Sequence, residues 1–101
     1  MVTREQVLEA LKEVYDPEIP VNIVDLGLVY GVEVDEENRV KIKMTLTAPG
    51  CPMAYYLIEQ VEEVVRNRLP EVKDIHVELV WDPPWTPDRM SEEAKRLLGF
   101  T

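Results

Sequence analysis

Apolar residues recur at helical spacing in two long stretches of the chain. The first predicts a helix over residues 4–14, which begins at a capping box in residues 3–6 and ends before Pro17. The second predicts a helix that begins near Cys51 or Pro52 and ends before the next proline. The predicted inward faces are Val7, Leu8, Leu11, Val14 and Tyr15 in the first helix, and Ala54, Leu57, Ile58, Val61, Val64, Val65 and Leu69 in the second.

Three shorter stretches alternate between apolar and polar residues, which is the pattern of strands with one solvated face. Residues 28–34 and 40–46 flank an acidic turn and predict a β-hairpin, and residues 75–81 predict a third strand. A strand, a helix and a strand in succession favour a parallel crossover, so the sheet is expected to be mixed. We therefore predict an α/β (α+β) two-layer sandwich. A three-stranded mixed sheet carries both long helices on one face, in the order α-β-β-α-β-α, and the order of strands within the sheet is left open.

Prolines and glycines shape the remaining segments. Residues 16–27 contain two prolines and one glycine and predict a long ordered loop, whereas the prolines of residues 81–88 predict a tail without regular structure. Ser91 is the predicted N-cap of a short helix that ends at Leu98, with Gly99 as its stop.

The alternation of the third strand places Trp81 inward, in the core, and His76, the only histidine, on the solvent face. Trp85 follows in the proline-rich tail, where an exposed indole would suit a partner surface. Alternatively, a tail that folds back over the sheet would bury both tryptophans. Because the chain has a single histidine and no glycine-rich phosphate loop, a complete catalytic constellation is missing and an enzyme is not predicted.

The composition narrows the class of function further. The chain has 101 residues, which suits one domain over residues 1–101. Its 20 acidic and 11 basic residues give a formal net charge of −9, and this field repels phosphate backbones and anionic membranes. One cysteine cannot form an internal disulfide, and the N-terminal stretch lacks the apolar core of a signal peptide. We expect a cytoplasmic protein that binds neither nucleic acid nor membrane.

Cys51 is the strongest candidate for chemistry. It follows Thr47 and Gly50 and precedes Pro52, at the predicted N-terminus of the second helix, where backbone N–H groups and the helix dipole stabilise a thiolate. Such a thiolate would ligate iron or zinc, or attack an electrophile; the alternative is a small residue that simply fits the turn. Zinc sites and stable clusters usually take four ligands, and the sequence has no CxxC pattern. A metal or cluster at Cys51 would therefore be shared between chains or held transiently, if it binds at all.

Three acidic residues are candidates for supporting this cysteine. Asp16 and Glu18 flank a proline, and Asp25 precedes a leucine and a loop glycine. Near a thiolate, these carboxylates would bind iron, tune the cysteine or position a group of a partner. The alternative is turn chemistry, because aspartate is an ordinary residue at chain reversals.

Two motifs together resemble a known family. Residues 16–30, DPEIPVNIVDLGLVY, resemble the signature of the iron–sulfur assembly domain family that includes the SufT and PaaD proteins and the MMS-nineteen-interacting adaptor. Residues 47–52, TAPGCP, resemble its second signature, and the tail over residues 81–99 is similar to that of stand-alone bacterial and archaeal members. The resemblance implies an α/β domain with a role in maturing iron–sulfur proteins, and Cys51 as the usual functional candidate.

The resemblance implies an accessory carrier or adaptor, with Asp16 and Glu18 at the acidic positions of the first motif. The implied partners are an iron–sulfur scaffold, a separate P-loop ATPase carrier and client apoproteins, and a transient or homodimer-bridging iron–sulfur cluster is the candidate cargo. One alternative is a metal-free adaptor that docks clients through residues 16–27 and the Trp85 region; another is a thiol-redox protein. The chain lacks the extra C-terminal cysteines of PaaD-type members, so a role in oxygenase maturation is less favoured.

Overall fold

The predicted order of helices and strands is confirmed. A computed structural model describes residues 2–16, 19–47 and 54–99. The elements in this part of the chain are helix α1 (Arg4–Leu11), strands β1 (Val29–Val34) and β2 (Arg39–Met44), helix α2 (Ala54–Arg68), strand β3 (Asp74–Leu79), a 3₁₀ turn (Pro87–Arg89) and helix α3 (Glu92–Leu98).

The sheet is mixed, as predicted, and its strand order is β1-β2-β3. Strands β1 and β2 form the antiparallel hairpin, and β2 and β3 run parallel. Along β2, Val40, Ile42 and Met44 are buried, whereas the residues between them are exposed. Helix α1 contacts β1 and α2, and α2 contacts β3. Both long helices therefore lie on the apolar face of the sheet, and His76 is exposed, as the alternation predicted.

Helix α1 begins at the predicted capping box. The Thr3 hydroxyl accepts the Gln6 N–H at 3.2 Å, and the Gln6 side chain accepts the Thr3 N–H at 2.9 Å. The helix ends at Leu11, earlier than predicted. Tyr15, which was predicted on its apolar face, is 56% exposed because it has left the helix and forms a β-bridge with Asn22.

Helix α2 buries the predicted stripe. Leu57, Val61 and Val65 are buried and pack in one hydrophobic cluster with α1 and the inner face of the sheet. Each fully buried side chain of this kind contributes about 1.5–3 kcal/mol, so this face holds the helix in place. The predicted start near Cys51 or Pro52 lies outside the described residues. No helix in the described ranges is long and apolar enough to cross a bilayer.

Asp35 fixes the turn of the hairpin. Its Oδ1 accepts the backbone N–H groups of Glu37 and Arg39, each at 2.9 Å, and its Oδ2 accepts Arg39 Nε at 2.7 Å. The Arg39 backbone N–H is the main cause that holds the pKa of the Asp35 carboxyl below its usual value. Desolvation opposes this lowering, and the Arg39 side chain and the Glu37 N–H add to it. The acidic turn is thus explained by local structure.

The prediction that Trp81 lies in the core is wrong. Strand β3 ends at Leu79, and after the Val80 N–H donates to the Met44 carbonyl at 2.9 Å, the chain leaves the sheet. Trp81 therefore does not continue the inward alternation, and it is 44% exposed.

The tail contains more regular structure than its prolines predicted. The 3₁₀ turn at Pro87–Arg89 is one correction, since a proline fits the first position of such a turn. The short helix α3 is confirmed: the Ser91 hydroxyl accepts the Ala94 N–H at 3.1 Å, and Gly99 ends the helix in the left-handed conformation with φ of 80°.

Candidate functional site

The chain between α1 and β1 folds into a loop pinned by short hydrogen-bonded pairings. The Ile23 N–H donates to the Val14 carbonyl at 2.9 Å, and the Asp16 N–H donates to the Val21 carbonyl at 3.3 Å. Ile23, Leu26 and Leu28 are fully buried and anchor the loop in the core. The prediction of a long ordered loop is confirmed for the residues that the structure describes.

Asp16 has the turn role that was the alternative to a metal role. Its side chain is buried, and its Oδ1 accepts the Ile19 backbone N–H at 3.1 Å across the loop. Glu18 and Cys51 lie outside the described residues. The proximity of Asp16 to the thiolate therefore stays a prediction.

Asn22 is a loop residue that the sequence reasoning missed. Its Oδ1 accepts the backbone N–H groups of Val24 and Asp25 at 3.0 and 2.9 Å, and its Nδ2 donates to Asp25 Oδ2 at 2.7 Å. The Asp25 carboxylate is thus engaged by Asn22, and the Asp25 carbonyl accepts the Ser91 N–H at 2.7 Å. Asparagine three residues before aspartate is an ordinary turn signal, so the sequence did contain the clue.

The segment that leads from β2 toward Cys51 leaves a buried hydroxyl without a partner. The Thr45 N–H donates to the Leu28 carbonyl at 2.8 Å, which ties this segment to the start of β1. Thr45 is 1% exposed, and its Oγ1 has no hydrogen-bond partner among the described residues. Thr47, a predicted supporting residue, is half-buried two positions further on. An unsatisfied buried hydroxyl costs stability.

Thr45→Val is expected to raise the free energy of unfolding by about 1 kcal/mol, because valine keeps the shape and removes the unpaired hydroxyl. Urea unfolding checks this value. Thr47→Val, at a half-buried position on the same segment, is the control and is expected to give a smaller change. A Thr45→Val protein that is clearly less stable than wild type would show that the hydroxyl is paired in solution.

The C-terminal tail folds back over the loop that carries the first motif. Trp85 Nε1 donates to the Leu26 carbonyl at 2.7 Å, and the Tyr30 hydroxyl donates to the Pro83 carbonyl at 2.8 Å. Trp85 is therefore half-buried and packs against the core, whereas Trp81 stays exposed. The tail folds back, as in the alternative prediction, but it half-buries Trp85 and does not bury Trp81.

Two tyrosines are exposed at the described start of α2, shortly after Cys51 in the sequence. Tyr55 is 80% exposed and Tyr56 is 46% exposed. Exposed tyrosines are frequent at protein interfaces, because the ring is apolar and the hydroxyl tolerates water. They make this end of α2 a candidate contact surface.

The predicted thiolate ligand and its turn residues are not covered by the structure. Gly50, Cys51 and Pro52 fall in the range 48–53, outside the described residues. Within residues 2–16, 19–47 and 54–99, no group of three His, Cys, Asp or Glu side chains is placed to hold a metal ion. A metal or cluster role for Cys51 remains a prediction.

The chain is similar to known proteins over most of its length. The sequence model of the family described as iron–sulfur cluster assembly protein matches residues 4–79. The Fe-S protein maturation auxiliary factor YitW of Bacillus subtilis is 50% identical over 97 residues, which cover 96% of this chain and 94% of that protein. The auxiliary factor SufT of Staphylococcus aureus is 51% identical over 88 residues, covering 87% and 99%. A crystal structure of a domain of unknown function from Bacillus anthracis superposes with a TM-score of 0.93 at 46% identity, covering 96% of this chain and 92% of that one.

Proposed function

The chain belongs to the iron–sulfur cluster assembly protein family, and we propose that it acts as an auxiliary carrier or adaptor in the maturation of iron–sulfur proteins. The observation that carries this proposal is the match to maturation auxiliary factors at about half identity over nearly the full length of both chains. The protein binds its cargo and transfers it to another protein, and it does not catalyse a reaction. It works in the cytoplasm, where a lone thiol stays reduced.

Cys51 is the group through which the protein contacts its cargo in this proposal. The bounds of the described elements support the assignment, because β2 ends at Met44 and α2 begins at Ala54, three positions after Cys51 in the sequence. Backbone N–H groups at the start of such a helix favour the thiolate, which is the form that binds iron.

The cargo is an iron–sulfur cluster that is bound transiently or shared between two copies of the chain. A cluster usually takes four ligands, and the chain offers one thiolate. The missing ligands come from a second copy, from a scaffold or from the client that receives the cluster. We propose a scaffold protein, a separate P-loop ATPase and client apoproteins as the partners. Tyr55 and Tyr56, which are exposed and follow Cys51 in the sequence, are candidate residues for contacting them.

The proposal is tested in cells that lack every other copy of the protein. Cys51→Ser is expected to lower the activity of cluster-dependent client enzymes to the level of the deletion, while the client polypeptides stay at normal abundance. Thr47→Ser, which keeps the hydroxyl on the same segment, is the matched control and is expected to behave as wild type. Unchanged client activity in the Cys51→Ser strain would overturn the role of the thiolate.

A second candidate function is that of a metal-free adaptor, which a specific surface favours. Tyr15 and Leu97 are 56% and 72% exposed and border a cavity of about 140 Å³ next to Asn22 and Asp25. Clients docked on this surface would not depend on Cys51. Under this alternative, capture of a client apoprotein survives Cys51→Ser but is lost in a Tyr15→Ser, Leu97→Ser double variant; the opposite result favours the carrier.

A further inference from the structure

A cavity lined by described residues lies on the side of the sheet opposite the long helices. Its volume is about 640 Å³, which is within the usual range for small-molecule sites. The floor is the outer face of the sheet near Lys43, and the walls come from the loop before β1 and from the tail after β3. The lining residues are Val24, Gly27, Val29, Tyr30, Lys43, Val80, Asp82, Pro83 and Arg89.

Lys43 and Arg89 are two cations that line this one cavity without an ion-pair partner in the described part of the chain. Every other lysine in the described part of the chain pairs with a carboxylate, as Lys41 does with Glu78. Neither Lys43 nor Arg89 forms an ion pair with any carboxylate that the structure describes. Arg4, Arg66 and Arg96 likewise form no ion pair with a described carboxylate, so what sets Lys43 and Arg89 apart is that both line the same cavity.

The Arg89 guanidinium is held in place by an aromatic ring. Its Cζ lies 4.8 Å from the centroid of the Tyr30 ring, and the Tyr30 hydroxyl is fixed by its hydrogen bond to the Pro83 carbonyl at 2.8 Å. Stacking over a ring leaves the N–H groups at the guanidinium edge free to bind a planar or tetrahedral anion in a bidentate manner. The arginine is thus oriented before any ligand arrives.

The other lining residues indicate which kind of ligand would fit the cavity. Val24, Val29 and Val80 supply apolar wall beside the two cations. Among the described lining residues Asp82 is the one carboxylate, so the charges of Lys43, Arg89 and Asp82 sum to about +1. This combination suits a molecule with a single anionic head and an apolar body, and it disfavours a highly charged one.

We infer that this cavity, which we call the tail cavity, binds a small organic anion. Lys43 and Arg89 hold its carboxylate or phosphate group, and its apolar part lies along Val24, Val29 and Val80. The inference is independent of Cys51 and of cluster handling, because the described lining residues do not include those proposed to contact the cluster and because binding requires no metal.

The test is a titration of isotope-labelled protein by nuclear magnetic resonance with three probes that share a phenyl group. These are 3-phenylpropionate, phenyl phosphate and the neutral 3-phenylpropan-1-ol. At least one anion is expected to saturate and to shift the resonances of Val24, Val80 and the Arg89 side chain, whereas the alcohol binds at least about tenfold more weakly. A preference between the two anions identifies the head group.

Charge-matched variants distinguish specific binding in the tail cavity from general electrostatic attraction to the protein. Lys43→Gln and Arg89→Gln are each expected to weaken the better anion by about tenfold. Lys73→Gln, before the start of β3, and Arg66→Gln, on α2, remove the same charge elsewhere and are expected to change the affinity by less than about twofold. The inference is overturned if neither anion saturates by about 10 mM, if the alcohol binds equally well, or if the control variants weaken binding as much.

Discussion

Gly27→Ala is expected to lower the free energy of unfolding by about 3 kcal/mol, from backbone strain and a steric clash together. Gly27 has a φ of +84°, a left-handed conformation that residues with a Cβ adopt at a cost. A Cβ added there would also lie 2.8 Å from the Arg89 carbonyl carbon and 2.9 Å from the Arg89 Cβ. Urea unfolding, followed by far-ultraviolet circular dichroism, measures the loss.

The chain offers two other glycines that separate the two causes. Gly99 has a φ of +80° with nothing within 4 Å of an added Cβ, so Gly99→Ala is expected to cost only about 1 kcal/mol of strain. At Gly31 the nearest atom, Lys43 Cβ, would lie 3.9 Å away, and Gly31→Ala is expected to stabilise the strand slightly, by about 0.5 kcal/mol. If Gly27→Ala cost no more than Gly99→Ala, the close contact between the loop and the tail would not exist in solution.

Gly27 lies where the loop of the first motif contacts the C-terminal tail. Two hydrogen bonds join the segments next to Gly27: Trp85 Nε1 donates to the Leu26 carbonyl at 2.7 Å, and the Ser91 N–H donates to the Asp25 carbonyl at 2.7 Å. A change that lifts the tail therefore also loosens the loop. Part of the tail cavity is lost with it, since Arg89 belongs to the tail.

Local patterns predicted the parts of the fold that depend on local physics. Alternation along β2 gave the correct buried face, with Val40, Ile42 and Met44 inward, because each strand residue points opposite to its neighbour. The capping box at Thr3 and the N-cap at Ser91 were also predicted correctly, because each cap is formed by residues within one helical turn.

The structural features that the sequence did not predict depend on contacts between distant parts of the chain. Alternation alone extended β3 to Trp81, but the chain leaves the sheet after Val80 and the tail turns back to Leu26. The tail cavity depends on Lys43 and Arg89, which belong to different elements and meet only in the folded protein. For Asp16, local turn chemistry explains its hydrogen bond to the Ile19 N–H, whereas any relation to Cys51 is a tertiary contact and stays a prediction.

Anaerobic reconstitution with iron and sulfide is expected to give coloured protein with wild type and colourless protein with Cys51→Ser. The cause is the thiolate: it is the only cysteine ligand in the chain, and a hydroxyl does not replace it for iron. Because two chains supply two thiolates, with dithiothreitol as the source of the other ligands, the coloured form is expected to contain about one cluster per dimer. The cluster content is measured by visible absorption and by iron and sulfide analysis, and the oligomeric state by molecular mass.

Thr45→Val is the control for this experiment, because it changes the same connection and leaves the thiol in place. It is expected to bind as much iron and sulfide as wild type. A coloured Cys51→Ser protein would show that other residues hold the cluster, and the carrier proposal would lose its central residue. A colourless wild type, together with loss of client activity in Cys51→Ser cells, would mean that Cys51 meets its cluster only inside a complex with a scaffold or client. A colourless wild type with normal client activity in those cells would favour the metal-free adaptor.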